Sequence, residues 1–298
     1  MDLDGVIVVD KPEGITSARV VSRVKKAIGA RKAGHAGTLD PFATGVLVCC
    51  LNRATRLARF FLAGDKRYRA VMRLGIETDT QDATGRVTAE TDPTAVTEAG
   101  VQDAVHGFRG RIRQRPPVFS ALKHRGVPLY KLARRGQPVE KPPRQVEIRS
   151  IEITGLNLPE VEIDVTCSAG TYIRTLCADI GARLGCGGHL KTLRRLKSGG
   201  FSIDEAFGLD RIEDEAGSGA LAEWIVPMAE ALRNMPARFA EPALVGRLLQ
   251  GRHIAIGDLD GPADGVFKVL DTEGRLVAIL EAGAEEGRYT YCGVFGAE

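Results

Sequence analysis

Nothing in this 298-residue chain is apolar for long enough to cross a membrane as a helix. Its start, Met1-Asp2-Leu3-Asp4, lacks the basic opening and long apolar run of a secretory signal, and the expected location is the cytoplasm. Cysteine is sparse: Cys49, Cys50, Cys167, Cys177, Cys186 and Cys292 include no C-x-x-C pair and no ligand-like histidine spacing. That argues against a zinc site or a disulfide framework and reads as buried thiols. No internal repeat or low-complexity tract occurs. Net charge is only +3, too little by itself to argue for a nucleic-acid partner.

What is present is a chain with 44% hydrophobic residues, long enough to bury a sizeable core as one large domain or two. Charge is unevenly spread. Residues 109 to 149 hold twelve Lys/Arg against two acids, whereas residues 76 to 103 hold seven acids and one base. A polyanion is drawn to one face and turned away from another.

The densest chemistry lies in Arg31-Lys32-Ala33-Gly34-His35-Ala36-Gly37-Thr38-Leu39-Asp40-Pro41-Phe42-Ala43-Thr44-Gly45. Glycines 34, 37 and 45 permit positive φ or close backbone approach, and Pro41 biases Asp40 toward an extended conformation, so the carboxylate has a set direction. On spacing alone, a glycine-rich connection with an amide-bonding Asp explains the stretch equally well.

Around it, Gly5 to Val9 reads as a buried strand, and Val20, Val21, Val24, Ala27 and Ile28 mark a helix stopped by Gly29. Val46 to Leu51 is apolar throughout, as in a strand covered on both faces. Ala54 to Leu62 reads as a short helix. Lys66 to Leu74 alternates, pointing Tyr68 inward. Glu77 to Thr97 reads as a hairpin arm with its turn at Gly85, running into a short helix over Glu98 to His106, with nothing catalytic in it. The prolines after Arg115 confine the basic segment to the surface, and Tyr130 to Gly136 reads as a short helix within it. Val146 to Ile153 and Val161 to Cys167 are strand candidates, and Arg174 opens an amphipathic helix where the helix dipole disfavours a cation, so it wants a carboxylate partner. Gly187 to Phe201 mixes glycines with basic residues, a second phosphate-binding candidate. Pro227, Pro236 and Pro242 mark a linker zone. Beyond it, Gly251 to Gly257, Val266 to Leu270 and Arg275 to Leu280 read as short β-like runs, with a hairpin turn at Asp271 to Gly274.

Six blocks in order resemble the pseudouridine synthases of the TruB family. They are K-P-x-G-x-T-S at Lys11 to Ser17, G-H-x-G-T-L-D-P at Gly34 to Pro41, K-R-Y at Lys66 to Tyr68, Q-R-P-P-V-F-S-A-L-K at Gln114 to Lys123, G-T-Y-I-R at Gly170 to Arg174 and L-R-R at Leu193 to Arg195. The resemblance implies an α+β fold with a mixed-sheet catalytic domain over residues 1–235 and a small PUA-like β-barrel that binds RNA over residues 236–298. It implies isomerisation of uridine to pseudouridine at position 55 in the TΨC arm of tRNA, with the target base flipped out. Asp40 is then the nucleophile, Tyr68 stacks on the base and is a candidate to take a proton from the sugar, and Arg174 pairs with Asp40. Leu193 packs beside the tyrosine, His35 supports the loop or the displaced RNA, and Lys11, Lys123, Tyr172 and Arg134 join the substrate-binding set. No metal, cofactor or protein partner is expected, and the chain is expected to act as a monomer. Two rival readings are a non-catalytic tRNA-binding or tRNA-folding factor and a guide-RNA-dependent synthase that needs partner proteins.

Overall fold

The computed structural model describes residues 3–260, 265–282 and 287–296. Of the N-terminal stretch read for a signal, Met1 and Asp2 lie outside the described residues. Seven longer strands form the body of an 11-stranded mixed sheet: β1 (Gly5–Lys11), β2 (Thr44–Leu51), β3 (Lys66–Leu74), β4 (Gly110–Gln114), β5 (Arg144–Asn157), β6 (Glu160–Cys167) and β7 (Gly188–Ser198). They lie in the order β1-β2-β7-β3-β6-β5-β4. Neighbours run antiparallel except β2 and β7, which are parallel and pair at Thr44 with Arg194 and Gly45 with Arg195.

Helix α1 (Ser17–Ile28) starts where Thr16 accepts the amide of Arg19 and ends at Gly29, whose φ of 70° suits glycine. Its Val20 and Val24 pack on Ile7, Val9, Leu47 and Cys49, while Val6, Val8, Val46 and Val48 fill the opposite side of the same strands. The unbroken apolar run of β2 follows from that double cover. Helices α2 (Glu98–His106) and α3 (Ile173–Arg183) cover the other half of the sheet, sharing a core with Tyr68, Ala70, Met72, Leu190 and Leu193. Strand β3 alternates as expected, with Arg67 paired outward to Asp164 at 2.7 Å. Strand β4 is an edge strand, as a segment running into Pro116 and Pro117 must be.

Residues 187–201 depart from the sequence reading. Most of them form β7, a central strand, in which Leu190 and Leu193, three apart, both enter the core because the register shifts between Leu190 and Thr192. Its arginines are held internally: Arg194 grips Asp10 through both terminal nitrogens, at 3.1 and 2.7 Å, and Arg195 is 1% exposed.

The C-terminal part is a four-stranded sheet, β8 (Ala237–Phe239), β9 (Val266–Leu270), β10 (Leu276–Ala282) and β11 (Tyr289–Val294), in that order, with α4 (Pro242–Leu249) against it. Closure into a barrel is not seen among the described residues. Gly251 to Gly257 forms no strand; Ala255 makes an isolated bridge and a 3-10 turn follows at Ile256–Asp258. The proline zone is a packed connection: Val226 and Pro227 pair with β1, and Lys268 donates to the carbonyls of Ala229 at 2.7 Å and Leu232 at 3.0 Å.

Candidate active site

The loop between the short strand Ala33–His35 and β2 is held from beneath by the first sequence block. Lys11 is fully buried, and its ammonium donates to the carbonyls of Pro12 (2.7 Å), Pro41 (3.0 Å) and Ala43 (2.7 Å). The Gly14 amide also donates to the Pro41 carbonyl, at 2.8 Å, and Ser17 Oγ both donates to and accepts from the backbone of Leu39, each at 2.9 Å. Asp40 thus sits in a turn closed by Ala43 N–H donating to its carbonyl at 3.1 Å, with Pro41 in the position that favours a turn. Gly37 and Gly45 take φ of 107° and 100°, values that suit glycine, whereas Gly34 lies within the short strand.

Arg174 supplies the carboxylate's partner. Its Nε lies 3.0 Å from Asp40 Oδ2, its Nη1 donates to the Thr80 carbonyl at 2.9 Å and its Nη2 to the Phe119 carbonyl at 2.8 Å. The guanidinium side chain is 5% exposed and that of Asp40 35%, so the pair is anchored on one side and open on the other. Burial pushes the Asp40 pKa up; the charges of Arg174 and Lys11 oppose the rise and that of Asp82 adds to it. Lys11 is itself brought down to about 8 by burial, with the Asp40 charge working against that fall.

Tyr68 and Leu193 are both buried and share one apolar cluster with Leu39 and Ala43 on either side of Asp40. Burial raises the Tyr68 pKa, so the phenol is neutral at ordinary pH, and the Arg195 guanidinium opposes the rise. Arg195 bonds the Val46 carbonyl at 2.7 Å and the Gly37 carbonyl at 3.0 Å, holding both flanks of the loop. His35 is half-buried; its Nδ1 has no hydrogen-bond partner among the described residues, and burial and then Arg195 lower its pKa.

The structure therefore brings Asp40, Arg174, Tyr68, Leu193 and Lys11 together. Lys11 is a correction to the substrate-binding set, since a fully buried ammonium with three carbonyl partners has no face to offer RNA. Tyr172 stands at the start of α3 with the Arg144 guanidinium 5.1 Å from its ring centroid. Lys123 and Arg134 lie apart on the exposed basic segment, Arg134 over the Tyr130 ring at 5.6 Å.

Asp82 was missed. It is 4% exposed, with Oδ2 3.5 Å from Arg174 Nη1, and Oδ1 accepts from the hydroxyls of Thr80 (2.8 Å) and Thr84 (2.6 Å). The acidic arm thus contributes a second carboxylate to the arginine. The available signal was Thr80-x-Asp82-x-Thr84, an acid between two hydroxyls that can satisfy it.

The model of the TruB family pseudouridylate synthase N-terminal domain matches residues 25–173, and that of the tRNA pseudouridylate synthase B C-terminal domain matches residues 174–233. This chain belongs to the TruB family of pseudouridine synthases. Among its TruB relatives, the tRNA pseudouridine synthase B of Syntrophus aciditrophicus (strain SB) is 45% identical over 286 residues, covering 93% of this chain and 90% of that protein. That of Geotalea uraniireducens (strain Rf4) is 51% identical over 233 residues, 78% of this chain and 75% of that protein. Among solved structures, a chain of a Cbf5-Nop10-Gar1 complex superposes with a TM-score of 0.75 at 28% identity, covering 99% of this TruB chain and 84% of that chain.

Proposed function

We propose that this enzyme converts uridine to pseudouridine at position 55 in the TΨC arm of tRNA, with the target base flipped out of the arm and Asp40 as nucleophile. The observation that carries the reading is the Asp40 and Arg174 pair at 3.0 Å, open on one side and flanked by Tyr68 and Leu193.

Isomerisation breaks the bond between the sugar C1′ and N1 of uracil, turns the base and joins its C5 to C1′; the C5 proton leaves and N1 gains one. No electron or water is consumed. Asp40 acts as an ionised carboxylate, either in covalent attack or against positive charge developing on the sugar. Arg174 favours the ionised form in a site where burial favours the acid. Tyr68, neutral and inward-facing, offers its ring to the displaced base, with Leu193 beside it. Unstacking a uridine costs a few kcal/mol, which stacking on Tyr68 and phosphate contacts from Lys123 and Arg134 offset. His35 supports the loop, its Nδ1 buried there with no hydrogen-bond partner among the described residues. Lys11 holds the loop and takes no part in binding.

The test is release of tritium from tRNA transcript labelled at uridine C5, by the purified chain alone, beside Asp40→Ala. Release by the wild type only is expected, with tRNA binding by the variant retained within about fivefold, as for loss of a group that acts in the transition state. Activity retained in Asp40→Ala removes Asp40 from the role; tight binding without release favours a binding factor or a missing partner.

A further inference from the structure

Gln114 ends the edge strand β4 and is 1% exposed. Its side-chain amide bonds Tyr172 twice, Nε2 donating to the carbonyl at 3.0 Å and Oε1 accepting from the N–H at 2.7 Å. Tyr172 is the residue before α3, a helix start with no side-chain cap. Two bonds from one planar amide to both polar groups of one residue fix the backbone in position and in rotation. Arg174 follows two residues on. From the other side Arg144, the cross-strand partner of Gln114, donates to the Gly170 carbonyl and lies over the Tyr172 ring. Arg174 Nη2 returns to the Phe119 carbonyl on the segment that Gln114 begins. Gln114 to Phe119 and Tyr172 to Arg174 are thus bonded at both ends, and the Arg174 Nε that remains faces Asp40.

We propose that Gln114 is a positioning residue for the reaction, its amide setting the start of α3 so that the Arg174 guanidinium meets the Asp40 carboxylate. This rests on the reading of Asp40 and Arg174 as the reacting centre. Glutamine suits the place because it offers a donor and an acceptor on one rigid plane. A carboxylate keeps the acceptor but turns a second oxygen on the Tyr172 carbonyl, and an apolar chain leaves the Tyr172 N–H unpaired and the carbonyl with only its helical bond from the Leu176 N–H at 3.0 Å.

The experiment is single-turnover pseudouridine formation at saturating tRNA across pH, with the tRNA Kd measured separately, for wild type, Gln114→Met, Gln114→Glu and Asp40→Ala. In Gln114→Met the rate falls about tenfold to a hundredfold, the scale of a small misplacement at a reacting centre, while Kd stays within about threefold. The acid limb of the profile moves to higher pH. Arg174, Lys11 and Asp82 are the charged groups facing Asp40; Lys11 and Asp82 are held by bonds of their own, so a displaced Arg174 is what lets the carboxyl take up a proton earlier. Gln114→Glu, near the natural size and retaining one bond, shows the same direction with a smaller loss, and decides the matter if Gln114→Met does not fold. A wild-type rate, or a lowered rate with an unmoved acid limb, overturns the proposal. Activity in Asp40→Ala overturns the reading of Asp40 instead.

Discussion

Arg174 Nε, Nη1 and Nη2 face three different segments, Asp40 in the loop, Thr80 beside Asp82 in the acidic arm, and Phe119 in the basic segment. A lysine has the charge but not the fork. Arg174→Lys is therefore expected to lower the single-turnover rate by about a hundredfold or more while leaving soluble, folded protein, checked by rapid-quench assay and circular dichroism. The Asp82 charge raises the Asp40 pKa. Removing it in Asp82→Asn moves the acid limb of the rate profile to lower pH, since Asp40 then holds its negative charge further into acid; an upward move contradicts that sign. Lys11→Met strips a donor from three carbonyls and is expected to cost about 3 kcal/mol, read from urea unfolding. Arg174 was legible as a cation at a helix start that wants a carboxylate, while its pairing with Asp40 was what the resemblance to the TruB family implied. Asp82 was missed, since its partner is remote in the chain and the flanking Thr80 and Thr84 mark it among the seven acids of that stretch only as one that can be satisfied locally.

At the scale of elements, the loop is placed by the parallel contact of β2 with β7, where Gly45 meets Arg195. A Cβ at Gly45 overlaps the Arg195 carbonyl oxygen, and the φ of 100° is itself unfavourable for an L residue. Gly45→Ala is expected to destabilise by about 3 kcal/mol or more or to abolish soluble expression, measured by denaturant midpoint. Helix α1 and strand β3 were readable from their 3.6- and 2-residue periods because each has one covered face. Strand β7 was not, since its arginines look like a phosphate-binding cluster until Asp10 and the loop carbonyls are seen to take them.

For the molecule as a whole, the C-terminal sheet shares an apolar cluster with the main one: Leu270, Leu276, Ile279 and Phe295 pack with Val46, Leu57 and Phe61. Arg53, Arg56 and Arg59 line up at helical spacing and donate to the carbonyls of Phe295 and Gly296, of Val294 and of Cys292, respectively. A chain cut after residue 235 bares that cluster. It is expected to be less stable than the full chain and to aggregate, and the full chain to melt in one calorimetric transition.

The family of chemistry followed from the resemblance of six blocks spread along the chain, and local pattern alone determined the strands and helices with one covered face and the backbone freedom of the loop at Gly37 and Gly45. Those features depend on neighbours along the chain, and periodicity and backbone freedom are properties of neighbours. Which cations are buried, which carbonyls hold Lys11, which acid shares Arg174 and which amide sets the start of α3 were decided only in three dimensions. A charge or a buried amide is neutral information until its partner is known, and partners are chosen by sheet order and register, which bring together residues far apart in the chain.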